Sequence, residues 1–115
     1  MKRLKFKFDL SCKVSIYVPA TKNVSAQVDN SDQVRWVIKE LSSMFGGATA
    51  SQAVGGWVCE SGDVVLENTT IVYSFCKEKD LQENFERVLT ICEIIKEEMS
   101  QEAVSLEING QLAFV

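Results

Sequence analysis

An unbroken alternation of apolar and polar residues near the amino terminus constrains the fold more than any other feature of the sequence. From Leu4 to Val18 every second residue is apolar, and the intervening residues are polar or charged except for Tyr17. A period of two places successive side chains on opposite faces, so the pattern predicts β structure with one buried face. No glycine or asparagine is available for a tight turn near Asp9–Cys12, so we favour one long strand ending at Pro19 over two short strands.

The next part of the chain predicts a loop and then a helix. Residues 20–30 are polar and have no clear period, which is typical of a loop. Possible N-caps at Asp29–Ser31 precede apolar residues spaced at 3.6 positions, and Gly46–Gly47 predicts the end of this helix. Trp36 falls opposite the apolar stripe. Either the preceding loop covers its ring, or the ring is offered to a partner.

The middle of the chain predicts a β-hairpin. Residues 53–60 and 63–75 have the composition of strands, and the turn chemistry lies at Glu60–Asp63. Gly55–Gly56 indicates a bulge or a close approach of another backbone or a ligand. We expect the second strand to bury the side chains of Ile71, Tyr73 and Phe75.

The last third predicts a second helix and a second hairpin. The helix begins near Asp80 and carries an apolar stripe, with Ile91 at the flank of the stripe and Ile94 outside it. Asn109–Gly110 is typical of a type I′ turn between two strands. The side chains expected to face the core from this hairpin are Val104, Leu106, Ile108, Leu112 and Phe114.

The predicted element order is β-α-β-β-α-β-β. This order indicates one α+β domain over residues 1–115, with a mainly antiparallel sheet packed on two helices, close to a ferredoxin-like sandwich with an extra strand.

Composition excludes several classes of protein. There is no histidine, so histidine-dependent acid/base, nucleophilic and metal chemistry is excluded. The net charge is −4 and basic residues concentrate in the first seven positions, which argues against nucleic-acid binding.

The sequence has no apolar run long enough for a membrane helix and no signal-peptide pattern, so we expect a cytoplasmic protein. The four cysteines lack C-x-x-C spacing and are predicted to be small core residues: Cys12, Cys59, Cys76 and Cys92.

The chemistry-bearing residues favour binding over catalysis. We predict no catalytic residue, no metal site and no cofactor. Positive charge, amides and aromatic rings could hold a nucleotide-like anion or a partner protein. The candidate ligand-binding residues are Lys22, Asn23, Arg35, Trp36, Thr49, Gln52, Trp57 and Tyr73.

Two alternatives remain open. Glu60, Asp63 and Glu67 cluster around one predicted hairpin, and such carboxylates could serve a small metal-assisted hydrolase. The apolar residues outside the helical stripes, Trp36 and Ile94, favour a homo-oligomer and would equally suit a purely structural subunit.

Three short motifs carry a family resemblance: Phe45-Gly46-Gly47-Ala48-Thr49, then Gly56-Trp57, then Gly62 to Glu67. With them, residues 14–76 resemble small uncharacterised proteins of bacteriophages and mobile elements from Firmicutes-type bacteria, and are also similar to a bacterial domain of unknown function. The resemblance implies a non-enzymatic anti-defence protein that sequesters a nucleotide-like ligand or blocks a host defence protein. It carries over no catalytic residue.

Overall fold

A computed structural model describes residues 6–22 and 26–115. These residues form a five-stranded sheet, a separate two-stranded hairpin and two helices. The elements in chain order are β1 (Cys12–Pro19), β2 (Thr21–Lys22), β3 (Ala26–Gln27), α1 (Ser31–Phe45), β4 (Thr49–Val58), β5 (Val64–Cys76), α2 (Glu78–Glu98), β6 (Ser105–Ile108) and β7 (Gln111–Phe114).

The sheet has the strand order β4-β5-β1-β6-β7, and neighbouring strands are antiparallel. Apart from β7, this is the order of a ferredoxin-like sandwich, in which a strand from the second half of the chain lies between the two strands joined by the first helix. The predicted α+β class, with an antiparallel sheet packed on two helices, is therefore confirmed. The short β2–β3 hairpin lies within the predicted loop.

β1 is shorter than predicted. Its pairing begins where Cys12 meets Cys76 and ends where Pro19 meets Thr69. Residues 6–11 continue the apolar alternation but are not part of a strand, so the prediction of one long strand is wrong there, and residues 4–5 lie outside the described part of the chain. The physical reason is that β5 and β6 end level with the start of β1, which leaves the preceding residues without a strand to pair with.

Helix α1 begins and ends as its sequence predicts. Asp29 accepts hydrogen bonds from the backbone and side chain of Ser31, and Gly46 ends the helix with a φ of 90°. Val37 and Leu41 are fully buried against the sheet. Burying side chains of this size contributes roughly 1.5–3 kcal/mol each, so the apolar face holds the helix in place.

Helix α2 begins slightly before the predicted Asp80 and packs beside α1. Ile91, predicted at the flank of its stripe, is 3% exposed. Arg87 connects the two helices by donating to Glu40 at 2.8 Å and to Ser43 at 3.2 Å. This ion pair is solvent-exposed and adds little stability, because water screens it; the buried face of α2 contributes more.

The two faces of the sheet differ in what covers them. The core face packs on the helices and takes Val72 and Cys76 from β5. The open face, on the side away from the helices, takes Ile71, Tyr73 and Phe75. The prediction that these last three face the core is wrong. Both sets alternate with a period of two, and the pairing of Ile16 with Val72 decides which set is buried.

The turn of the carboxyl-terminal hairpin lies where predicted, but some of the side chains predicted to face the core lie on the open face. Asn109 and Gly110 have φ angles of 52° and 83°, as a type I′ turn requires. Leu106 is buried, whereas Leu112 and Phe114 are 51% and 70% exposed, so their predicted core positions are wrong. The two-residue turn sets Leu112 opposite Glu107, which places Leu112 on the open face.

The distal half of the β4–β5 hairpin projects beyond the domain body. We call residues 54–68 the arm. Its ladder runs from Val54 opposite Asn68 to Val58 opposite Val64 without interruption, so the predicted bulge at Gly55–Gly56 is wrong. At Gly56 an added Cβ would lie 3.3 Å from the side chain of Leu66, its partner on β5, so the nearest neighbour is a side chain and not another backbone or a ligand. The projection agrees with a radius of gyration of 15.9 Å, against about 13 Å expected for a compact chain of this length.

Three of the four cysteines, Cys12, Cys76 and Cys92, are buried as predicted, and Cys59 is half-buried in the turn of the arm. Within residues 6–22 and 26–115, neither helix is long and apolar enough to cross a membrane.

Candidate functional site

A groove lies between α1 and the base of the arm. Its upper part, about 360 Å³, lies over the first two turns of α1, and an adjoining part of about 470 Å³ continues toward the arm. We call the two parts together the helix-side groove. The residues that line it include Asn30, Ser31, Val34, Arg35, Ile38, Ala50, Gln52, Asn68 and Thr70.

Asn30 fixes the geometry of this groove. It precedes α1, and its side-chain amide donates to the Val18 carbonyl at 3.1 Å and to the Thr70 hydroxyl at 3.2 Å. Thr69 also donates to the Val18 carbonyl, at 3.0 Å. The start of α1, the end of β1 and the base of the arm are thus held together by side-chain hydrogen bonds, which makes the groove a preformed cavity.

The helix-side groove combines an apolar wall with polar and cationic groups. Val34 and Ile38 supply apolar surface from α1, while Gln52 and Thr70 supply polar groups from facing strands. The Arg35 guanidinium adds a positive charge one turn into the helix, where the helix dipole already favours anionic groups. At the rim, hydrogen bonds from the side chain and backbone of Ser31 lower the pKa of the Asp29 carboxyl. This arrangement suits a ligand with a flat ring and an anionic end.

A second, smaller cavity of about 240 Å³ lies on the open face at the other side of the arm base. We call it the open-face cavity. Tyr17 and Glu67 line it together with Gln101 and Ser105, and it shares Asn68 and Thr69 with the helix-side groove. Gln101 is positioned by donating to the Thr21 carbonyl at 2.8 Å. An aromatic ring and a carboxylate around one cavity can stabilise a cation.

The structure brings together two of the predicted ligand-binding residues in the helix-side groove. Arg35 and Gln52 both line it, from α1 and β4 respectively. Lys22 is exposed on β2 and lines neither cavity. Asn23 lies outside the described residues.

The four remaining candidates lie elsewhere. Thr49 and Tyr73 are directly paired on the open face, where Lys13 places its ammonium 4.8 Å from the tyrosine ring centre. Trp57 lies on the arm and is 48% exposed. Trp36 is half-buried and packs against the core.

Sequence reasoning missed most of the residues that line the two cavities. Asn30 was interpreted only as a possible helix cap, while Thr70, Tyr17 and Gln101 gave no signal. These residues come from elements far apart in the chain, and strand register together with the side-chain hydrogen bonds of Asn30 and Gln101 brings them together. A prediction of that register would have been needed to find them.

The carboxylates considered for a hydrolase do not converge. Glu60 and Asp63 lie at the turn of the arm, whereas Glu67 is four residues further along β5, about 13 Å away in an extended strand. Among the described residues, no group of three Cys, Asp or Glu side chains is arranged to hold a metal ion. The geometry therefore gives the metal-assisted alternative no support.

Comparison with known proteins identifies structural neighbours. No family model and no curated protein sequence matches the chain. Two solved structures share the fold, a phage SAM lyase in complex with S-methyl-5′-thioadenosine and a phage SAM lyase in the apo state, each with a TM-score of 0.68 and 17% sequence identity. The alignments cover 98% and 99% of this chain and 95% of the other chain in each case. Both neighbours are phage proteins, and nothing in the comparison bears on a Firmicutes origin.

Proposed function

We propose that the protein is a phage anti-defence protein that binds an adenosine-containing small molecule of the S-adenosylmethionine (SAM) type in the host cytoplasm. The observation that carries this proposal is that the fold is shared, along nearly the whole chain, with a phage SAM lyase holding S-methyl-5′-thioadenosine. The chemical groups that line the helix-side groove support the same ligand class.

The lining of the helix-side groove matches the parts of such a ligand. Val34, Ile38 and Ala50 offer apolar surface for a purine ring. The Gln52 amide can donate to and accept from an adenine edge, as side-chain amides do when they recognise adenine in nucleic acids. SAM also carries a carboxylate, which S-methyl-5′-thioadenosine lacks, and the Arg35 guanidinium can pair with it through two parallel hydrogen bonds.

Titration calorimetry with SAM and with S-methyl-5′-thioadenosine tests this proposal. Arg35→Ala should weaken SAM binding roughly 10- to 150-fold, because a hydrogen bond to a charged group contributes about 1.5–3 kcal/mol, and should leave the thioadenosine affinity unchanged. Gln52→Ala should weaken both ligands. Lys39→Ala, one helical turn beyond Arg35 and outside the groove lining, is the matched control. Absence of binding by the wild type, or an equal loss for both ligands in Arg35→Ala, would contradict the proposal.

Cleavage of SAM is a second candidate function. The open-face cavity favours it, because the Glu67 carboxylate and the Tyr17 ring line one volume that could hold a sulfonium cation. In a balanced cleavage the carboxylate of SAM attacks its own γ-carbon, the carbon–sulfur bond breaks with its electron pair on sulfur, and S-methyl-5′-thioadenosine and homoserine lactone form. We expect liquid chromatography and mass spectrometry to detect both products with the wild type and with Glu60→Gln, and neither with Glu67→Gln. SAM that stays intact during long incubation would leave binding as the function.

We also propose that the protein acts as a homo-oligomer. The open face supports this, because Phe75, Leu112 and Phe114 are 49%, 51% and 70% exposed there, and large apolar patches mark interaction sites. Sedimentation velocity should show a species larger than one chain, which Phe114→Ser shifts toward the monomer. A wild-type monomer at all concentrations would instead favour a host protein as the partner of this face.

A further inference from the structure

We propose that residues Phe6–Leu10 of one copy add a third strand to the arm of a second copy, along the edge of β5 from Val64 to Glu67. This contact requires that the protein self-associates, and it rests on the proposed function only in that respect. It does not involve Arg35 and Gln52, the residues proposed to hold the ligand in the helix-side groove. Two projecting segments of the same chain, each incomplete by itself, carry the inference.

The amino-terminal segment has a strand pattern and no strand partner. Phe6, Phe8 and Leu10 continue the apolar phase of β1, yet among the described residues no strand pairs with this segment, and Phe6 and Phe8 are 68% and 73% exposed. Alternation over this length is expected where one face of a strand is covered.

The arm has exposed apolar side chains and a free edge. On the side that continues the core face, Val54, Val58, Val64 and Leu66 are each 64% or 65% exposed. β1 accompanies β5 only as far as Thr69, so within the described part of the chain nothing pairs with the edge from Val64 to Glu67. A two-stranded ribbon is marginally stable in water, and an added strand pairs with its free edge and places further apolar side chains beside those of the arm.

The two segments match in phase. If Phe6, Phe8 and Leu10 cover the side of the arm that carries Val64 and Leu66, the residues between them fall on the opposite side. Lys7 and Asp9 then lie on the side that carries Asp63 and Glu67. Each apolar residue thus meets apolar surface, and Lys7 can pair with the Asp63 or Glu67 carboxylate, while Asp9 sets the register by being disfavoured directly opposite either one.

The two segments also match in charge. Residues 54–68 contain three carboxylates, Glu60, Asp63 and Glu67, and no lysine or arginine. Residues 1–11 contain four basic residues and one acidic residue. Opposite charges on adjacent strands stabilise the pairing, and like charges would oppose pairing of one arm with another arm.

Geometry requires that the strand come from a second copy. The segment leaves the sheet beside Cys76, whereas the free edge of the arm begins twelve residues away at Val64, about 40 Å along β5. The four residues from Phe8 to Cys12 span at most about 14 Å when extended. A chain therefore cannot place Phe8 on its own arm.

Carbodiimide coupling of mixed isotopic copies tests the contact with the full chain. Unlabelled and 15N-labelled protein are mixed, coupled and digested, and we expect mass spectrometry to find Lys7 joined to Asp63 or Glu67 in peptide pairs that combine the two labels. The double substitution Phe6→Ser and Phe8→Ser should reduce these pairs at least tenfold. Phe85→Ser, which removes another exposed phenylalanine from the surface of α2, should leave them unchanged.

Three results would overturn the inference. Lys7 coupled mainly to Glu78 would place the segment in the groove that Leu81 and Phe85 line beside Ser11. Coupled pairs without mixed labels would show contact within one chain. An oligomer in sedimentation velocity with no coupling of Lys7 to the arm would contradict this contact and leave the proposed homo-oligomer standing. Calorimetry with SAM on uncoupled protein would test the proposed ligand site separately.

Discussion

The two halves of β5 contain similar residues in different surroundings. Val72, in the half beside β1, is fully buried, whereas Val64 and Leu66, in the half that belongs to the arm, are each 65% exposed. The half with Val72 has strands on both sides and a helix across its core face, while the arm half has β4 alone. Apolar residues in a strand therefore do not by themselves specify a core. The neighbouring elements decide whether the residues stabilise the monomer or remain available for another molecule.

The same residue type in the body and in the arm provides the sharpest test of this difference. Leu106 is 2% exposed and Leu66 is 65% exposed. Leu106→Ala should lower the free energy of unfolding by about 2–5 kcal/mol, because it removes buried surface and leaves a cavity. Leu66→Ala should change it by less than about 0.5 kcal/mol at concentrations where the protein is monomeric. Urea unfolding followed by circular dichroism measures both. A large loss for Leu66→Ala in the monomer would show that the arm is part of the cooperative core.

Two glycines with positive φ extend the comparison to turns. Gly110 joins β6 to β7 and Gly62 lies in the turn of the arm, with φ angles of 83° and 90°. An added Cβ would meet nothing within 4 Å at either position, so substitution by alanine tests backbone strain alone. We expect Gly110→Ala to cost about 1–2 kcal/mol in global stability.

Gly62→Ala carries the same strain, but the arm can open locally without unfolding the body. Hydrogen exchange should therefore become faster in residues 54–68 with little change in the unfolding midpoint. Equal global losses for the two variants would contradict independent opening of the arm.

The cysteines give the smallest expected effect on stability. A hydrogen bond with Ser61 lowers the pKa of the Cys59 thiol in the arm, while burial raises the pKa of Cys92 in α2 to about 12. Because the thiolate is the reactive form, iodoacetamide at pH 8 should modify Cys59 first and leave Cys92 unmodified in the folded protein. Mass spectrometry of the intact protein and of its peptides measures the modification at each cysteine. Modification of both at similar rates would indicate that the body opens as readily as the arm.

The pH dependence of stability follows from the same groups. The folded-state pKa of Cys92 lies above its ordinary value of 9.0, so the unfolded chain loses this proton first as pH rises. The contribution of the buried thiol is fully present below about pH 9 and is lost as pH rises toward 12. Cys92→Ala should flatten the alkaline decline of the unfolding midpoint, and an unchanged decline would contradict this assignment.

Much of the body was predictable from local patterns. The 3.6-residue spacing and the caps located α1, and Asn109–Gly110 located the carboxyl-terminal turn. The side of each strand that is buried was less predictable. Both sides of β5 and of β7 carry apolar residues, so the sequence was equally consistent with two registers. Ile71 and Leu112 were wrongly placed on the core face for that reason.

The candidate site was predictable only in part. Arg35 and Gln52 were singled out by residue type and do line one groove, whereas Asn30 and Thr70 were missed and Thr49 and Tyr73 lie on the other face of the sheet. Residue type indicates what a side chain can bind. It does not indicate which distant side chains will share a cavity.

The sequence by itself determined the α+β class, the number and order of the main elements, and the absence of histidine chemistry, because periodicity, capping and composition act within a few residues. The tertiary structure decided where β1 begins, which sheet face is buried, and that the β4–β5 hairpin outgrows its neighbours. Those outcomes depend on where partner strands end. The lengths of separate strands, set against one another in register, made residues 54–68 an arm and its base a pair of cavities.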